Sequence, residues 1–308
     1  MNPIPFVTLD EPEYGEVVQL SPLVRRVIAN NPSKYTYRGT GTYIIGHDDV
    51  AVIDPGPVLD SHRDALNDAL GSAHVRAILV THCHSDHSPL SAWLKSACGA
   101  PTFAFGPHGL VETDLDIDDA IEEGVNLEET TDTDFEPDVR VGDGEVVAMG
   151  DGWTIRGVHT PGHTSNHMCY ALDEERSLFT GDHIMGWSTT VVSPPDGDMR
   201  SYIDSLRKVI GRTDASLWPT HGSPVMSPQP FLHAFLEHRL EREAQVLAAV
   251  RSGLAQIDAI VKVLYADVRE ELHKAAARSV LAHLVKLVQD GVVGVEGKLG
   301  PSASYVAA

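Results

Sequence analysis

The chain has 308 residues, enough for one large domain or a large and a small one, and its 42% apolar content is ordinary for a folded globular protein. A formal net charge of −21 makes polyanions such as nucleic acid poor default partners. No apolar run approaches the roughly 20 residues of a membrane span, and the first residues lack a basic segment with an apolar core behind it. The three cysteines sit at no metal-finger spacing, so a reducing cytoplasm is expected, with no membrane partner.

Thr42–Ile45 and Val50–Ile53 read as strands around the hairpin Gly46-His47-Asp48-Asp49. Asp54-Pro55-Gly56 ends the second strand in a turn. Ser61–Leu70 has helical apolar spacing, and Val75–Val80 reads as a buried strand. The next residues are Thr81-His82-Cys83-His84-Ser85-Asp86-His87, after which Pro89–Ser96 starts a helix. Glu112–Val139 holds 13 acids and no Lys or Arg, and reads as a solvated acidic face or mobile loop. Thr154–Val158, His167–Leu172 and Ser177–Thr180 follow as strands, then Tyr202–Ile210 as a helix. This mixture predicts a layered α/β arrangement.

Ser223–Pro230, with three prolines and two serines, reads as a linker. It divides the chain into residues 1–225 and a tail of residues 226–308. The tail predicts helices over Phe231–Val250, Gln256–Tyr265 and Glu270–Gln289, then a small β-wing from Val292 to Lys298. Such a winged helix commonly binds DNA. Residues 231–308 hold nine basic and nine acidic side chains and no basic face, which favours a structural or substrate-shaping role.

Three imidazoles and one carboxylate between His82 and His87 have little packing rationale. They suit a borderline divalent cation. His163 in Pro-Gly-His-Thr, Asp182 in Thr-Gly-Asp-His and His221 in Pro-Thr-His-Gly sit in turns where glycine lets the backbone bend. Singly, such residues are more often surface histidines or turn acids. Together the seven suffice for two ions, which in hydrolytic sites lie about 3.5–4 Å apart. Asp182 is the best bridging carboxylate. In an extended loop His82, His84 and Asp86 share a face and His87 points elsewhere. Cys83 falls on the opposite face, and His167 and His183 have weaker claims. Tyr43, Trp187 and Ser188 are candidates to line a substrate pocket, with core or rim positions an equal reading. Ser193–Gly197 is a candidate wall.

On these residues the chain resembles the metallo-beta-lactamase-fold hydrolases. His82-x-His84-x-Asp86-His87 is followed by His163, Asp182 and His221 in the family's order, over a region from about Gly39 to His221. The resemblance implies a four-layer αββα sandwich with the site at one edge of two sheets. It implies that His82, His84 and His163 hold a first metal, that Asp86, His87 and His221 hold a second, and that Asp182 bridges them. Glu237-His238-Arg239, Ala276–Val280 and Ala282–Leu287 resemble the winged-helix tail of the beta-lactamase-like protein 2 subfamily, which includes an endoribonuclease. Asp182 stands where many antibiotic-degrading relatives carry Cys or Ser, which is similar to the thioesterase, lactonase and phosphodiesterase branches.

The expected activity is dinuclear metal-dependent hydrolysis of a small molecule. Two dications lower the pKa of a shared water, giving hydroxide near neutral pH. Asp86 and Asp182 are the expected catalytic carboxylates, Asp86 orienting the nucleophile. Zinc is the default ion, and manganese and iron also suit the ligands. Ester, lactone, thioester, beta-lactam and phosphodiester bonds all fit. Two competing readings are a nucleic-acid-binding protein or endoribonuclease that uses the tail, and an iron-dependent sulfur oxidoreductase on the same fold. Nothing in the pattern sets an oligomeric state.

Overall fold

Tyr43, Ile45, Ala51, Ile53, Ala77 and Leu79 point to one side of their strands, while Ile44, Val52 and Ile78 point to the other, and all are buried. Side chains alternate across a strand, so a sheet with both faces apolar must be covered twice. The computed structural model, which describes residues 4–109, 131–267 and 273–308, shows what covers it.

Among the described residues the first sheet has seven strands in chain order: β1 (Val17–Gln19), β2 (Val24–Ile28), β3 (Gly41–Gly46), β4 (Asp49–Ile53), β5 (His74–Leu79), β6 (Thr102–Ala104) and β7 (Val139–Arg140). Helices α1 (Asp60–Leu70) and α2 (Leu90–Cys98) connect the parallel pairs β4/β5 and β5/β6. They cover the outer face through Leu66, Leu90 and Leu94. The second sheet has the order β12-β11-β10-β9-β8, from β8 (Val146–Gly150), β9 (Trp153–His159), β10 (Met168–Leu172), β11 (Ser177–Gly181) and β12 (Ser216–Pro219). Its outer face is covered by α3 (Met199–Ile210) and the first half of α4 (Pro228–Arg251), which place Tyr202, Leu206, Phe231 and Phe235 in one core. The inner faces meet over Tyr43, Ile53, Leu79, Tyr170, Phe179 and Trp218. The result is the αββα sandwich.

Helix α3 starts earlier than Tyr202 because the Asp198 side chain caps it, accepting the Ser201 N–H at 2.7 Å. Ser223–Pro230 is not wholly a free connection. Val225 is buried and bonds to Leu217 in both directions at 2.9 and 3.0 Å, and Pro228 opens α4. In the tail, α4, α5 (Ile257–Leu264) and α6 (His273–Gln289) enclose a second core with β13 (Val293–Glu296) and its antiparallel partner β14 (Ser304–Ala307). The expected wing finds its second strand at β14, which the sequence pattern does not announce. Most of the acidic segment 112–139, and residues 270–272 of the predicted third tail helix, lie outside the described residues. Among the described residues no helix is long and apolar enough to cross a membrane.

Candidate metal centre

Parallel strands β4, β5, β11 and β12 all end at the same edge of the sandwich. Asp54 follows β4, the histidine loop follows β5, Asp182 follows β11 and His221 lies just past β12. His163 enters from the turn between β9 and β10. Cross-sheet hydrogen bonds lock the edge: Met168 N–H to Thr81 O at 2.8 Å and Gly41 N–H to Thr220 O at 2.9 Å.

All seven predicted residues meet there. Candidate ligand atoms fall into three groups, each within 4.8 Å: His82, His84 and His163; His82, His87 and Asp182; and Asp86, His87 and His221. The first group faces inward through His82 Nε2, His84 Nδ1 and His163 Nε2, with 2.9 Å between the first two and 3.2 Å between the last two. In the other lobe Asp86 Oδ2 lies 3.1 Å from His221 Nε2 and 3.3 Å from His87 Nε2. Asp182 spans both lobes, with Oδ1 3.4 Å from His221 Nε2 and Oδ2 3.9 Å from His163 Nε2.

The simple alternation expected of the loop does not hold. His87 N–H donates to His84 O at 2.9 Å, so the chain turns and brings His87 back to the centre. His84 and Asp86 therefore fall in different groups instead of sharing one. Cys83 does face away, accepting from Asn166 Nδ2 at 3.0 Å, and burial pushes its thiol up to about 12.

The arrangement fits cations better than hydrogen bonding. His163 Nδ1 lies 2.7 Å from Val191 O, His221 Nδ1 3.2 Å from Gly39 O and His87 Nδ1 2.9 Å from Asp54 Oδ2. In the neutral ring, donation to those acceptors assigns the tautomer and leaves each Nε2 with a lone pair aimed at the pocket. His87 Nε2 and Asp182 Oδ1 are buried without a hydrogen-bond partner among the described residues. Tetrahedral zinc with Zn–N of about 2.0–2.1 Å sets neighbouring nitrogens roughly 3.3 Å apart, close to the spacings found.

Charge points the same way. Burial holds His82 and His84 well below the ordinary imidazole range, reinforced by neighbouring rings. Burial also opposes a proton on His87 and His221, yet Asp86 and Asp182 outweigh it and both lie above that range. Burial opposes ionisation of Asp86, but His87 and His221 hold its carboxyl well below the usual carboxylate range. The carboxylates require positive charge in this pocket, supplied either by imidazolium protons or by a cation.

Asp54 escaped the sequence reading as a functional residue. It is fully buried with φ +48°, and its carboxylate accepts from Thr81 N at 2.8 Å, Thr81 Oγ1 at 2.8 Å and Thr220 Oγ1 at 3.1 Å as well as from His87. Its signal was an acid ending an apolar strand beside the histidine strand, masked by an ordinary Asp-Pro-Gly turn. His167 also supports the site, its Nε2 accepting the Asp182 N–H at 3.2 Å. Gly181, at φ +50°, is needed there because a Cβ would lie 2.7 Å from that nitrogen. His183 points away, its ring centroid 5.0 Å from that of Tyr202.

Of the candidate substrate contacts, Tyr43 is corrected. It is 1% exposed between the sheets and its hydroxyl donates to Pro219 O at 2.6 Å, so it is core. Trp187 is partly exposed and stacks on Tyr37 with centroids 4.7 Å apart, against Gly222 next to His221. Ser188 is partly exposed beside it. In the Ser193–Gly197 loop Asp196 accepts from Ser165 N at 3.2 Å, tying that loop to the turn that carries His163.

An αββα sandwich with a histidine and aspartate pocket at the shared edge of its sheets is the frame of a metal-dependent hydrolase, an enzyme class. The chain belongs to the metallo-beta-lactamase superfamily, whose profile matches residues 37–221, and a beta-lactamase-associated winged helix domain matches residues 257–300. It is 30% identical over 296 residues to a beta-lactamase-like protein 2 homolog of Caenorhabditis elegans, covering 94% of this chain and 91% of that protein. It is 28% identical to an atrochrysone carboxyl ACP thioesterase of Paecilomyces divaricatus, covering 94% and 87%. Among solved structures, a beta-lactamase domain protein of Burkholderia ambifaria superposes with a TM-score of 0.76 at 20% identity, covering 96% of this chain and 95% of that one. A metallo-beta-lactamase family protein of Thermus thermophilus gives 0.72 at 22% identity, covering 94% and 100%.

Proposed function

We propose that this protein is a dinuclear metal-dependent acyl hydrolase that cleaves a thioester or ester, with zinc as the default ion. The observation that carries this reading is the sharing of Asp182 between two lobes of ligand atoms. His82, His84 and His163 would hold one ion, Asp86, His87 and His221 the other, and Asp182 both. Divalent ions supply Lewis acidity, which acidifies water and polarises a carbonyl.

The chain's own groups do the rest. Asp86 Oδ2 accepts the Thr40 hydroxyl at 3.1 Å, which fixes its carboxylate to orient water and receive a proton. Asp54, Val191 O and Gly39 O hold three imidazoles with their Nε2 lone pairs inward. The Trp187–Tyr37 stack forms an apolar wall beside His221 for the acyl part of the substrate. Residues 1–225 form the catalytic part and 226–308 the tail, with α4 packed against both.

Thioester chemistry is favoured by relatives named as ACP thioesterases, aligned over nearly the whole chain. The net charge of −21 disfavours long RNA as substrate. The test is elemental analysis of the purified protein, followed by a hydrolysis panel on the same preparation. About two equivalents of metal and preferred cleavage of acyl thioesters or esters are expected. No stoichiometric metal, or faster cleavage of phosphodiesters, would sink the proposal.

A further inference from the structure

Arg239 lies on α4, outside the segment that carries the ligands, yet it is buried at 3% exposure. Among the described residues no carboxylate lies within ion-pair distance of it. Its guanidinium donates to Thr190 O and lies over the Tyr202 ring, 5.0 Å from the centroid. A buried cation held without a carboxylate is costly unless carbonyls and π faces stand in. Its placement calls for a reason.

Thr190 supplies one. Its hydroxyl lies 2.8 Å from Asp182 O and 2.9 Å from His183 O, in reach of both. The next residue, Val191, offers the carbonyl that takes His163 Nδ1–H at 2.7 Å. Tyr202, under the guanidinium, donates its own hydroxyl to His183 O at 2.9 Å. One junction, Thr190-Val191, therefore fixes the backbone of Asp182 and the ring of His163, and Arg239 holds that junction from behind.

We infer that Arg239 is a positioning residue of the metal centre, by which α4 sets Asp182 and His163. The inference rests on the reading of the pocket as a metal site. Groups that orient metal ligands typically change affinity about 10–100-fold when removed. A residue that merely stabilises the fold would lower the melting temperature and leave metal affinity alone.

The experiment measures zinc affinity by chelator competition, with circular dichroism as a check on folding, for the full chain and three variants. Arg239→Ala should weaken zinc binding by about 10-fold or more while keeping secondary structure. Thr190→Val, which keeps Arg239 and removes only the hydroxyl, should weaken it in the same direction. Arg242→Ala is the control, because Arg242 sits on the same helix over Tyr265 and faces the tail core. It should bind zinc as the unaltered chain does. Arg239→Ala within twofold of the unaltered chain overturns the inference. If Arg239→Ala does not fold, Thr190→Val decides, and unchanged affinity there overturns it too. An unaltered chain that binds no zinc defeats instead the reading of the pocket.

Discussion

Asp54 Oδ2 accepts Nδ1–H of His87 at 2.9 Å, and both side chains are wholly buried. The carboxylate comes from the end of one parallel strand and the imidazole from the loop after the next. Asp54 also ties in Thr220, the neighbour of His221, so one acid from the first sheet steadies ligands from both.

Asp54→Asn is the sharpest test of that role. The amide accepts fewer hydrogen bonds and loses the charge that favours Nδ1–H on His87. Metal affinity should fall about 10–100-fold with little change in secondary structure. Chelator competition measures it, and an unchanged affinity would assign Asp54 to the fold alone.

Asp182 carries a stronger expectation, since its two oxygens face different lobes. Asp182→Ala should cut bound metal by about half or more and turnover by at least ~100-fold. Full metal content with full turnover in that variant would remove the bridging role.

The pocket was legible in the sequence because its chemistry is dense and local. Four candidate ligands in six positions, then three glycine-flanked singletons in turns, have little rationale in packing when taken together. The alternating strands were legible for the same reason. What stayed hidden depends on distant partners. The turn at His84–His87 overrode the alternation drawn from an extended loop. Asp54 passed as an ordinary turn acid, since a buried carboxylate reveals itself only through the donors around it. Tyr43 reads equally as pocket or core from the sequence, because an amphipathic ring serves either, and its burial with the hydroxyl on the Pro219 carbonyl settles which. Arg239 sat in a helix whose outer neighbours are solvated.

Acid should destabilise the metal-free protein in a defined window. Burial pushes His62 down to about 4 and His183 down to about 3, and holds His82, His84 and His167 well below the ordinary value of 6.5. The unfolded chain takes up these protons near pH 6.5 while the folded chain refuses them, so stability is present above 6.5 and lost as pH falls toward 4. His87 and His221 run the opposite way, being raised, but they are fewer. Each depressed histidine contributes at most about 1.4 kcal/mol per pH unit. Urea midpoints of the chelated protein between pH 7 and 4 test this. A flat profile would refute it. Bound metal at 1,000 times its Kd should add roughly 4 kcal/mol at neutral pH.

Phe235 tests whether α4 belongs to the catalytic core as much as to the tail. It is fully buried among residues of α3 and the second sheet, and its ring centroid lies 4.9 Å from that of Phe231. Phe235→Ala should cost about 3–5 kcal/mol, because the ring leaves a cavity between elements that cannot close over it. A cut after residue 225 removes Phe231, Leu232 and Phe235 together and leaves the outer face of the second sheet covered by α3 alone. That fragment should aggregate or bind a hydrophobic dye, whereas one ending beyond Arg251 keeps the face covered. Denaturant midpoints and light scattering of the two fragments decide it. A soluble, cooperatively folding 1–225 fragment would show that the catalytic part closes its core without α4.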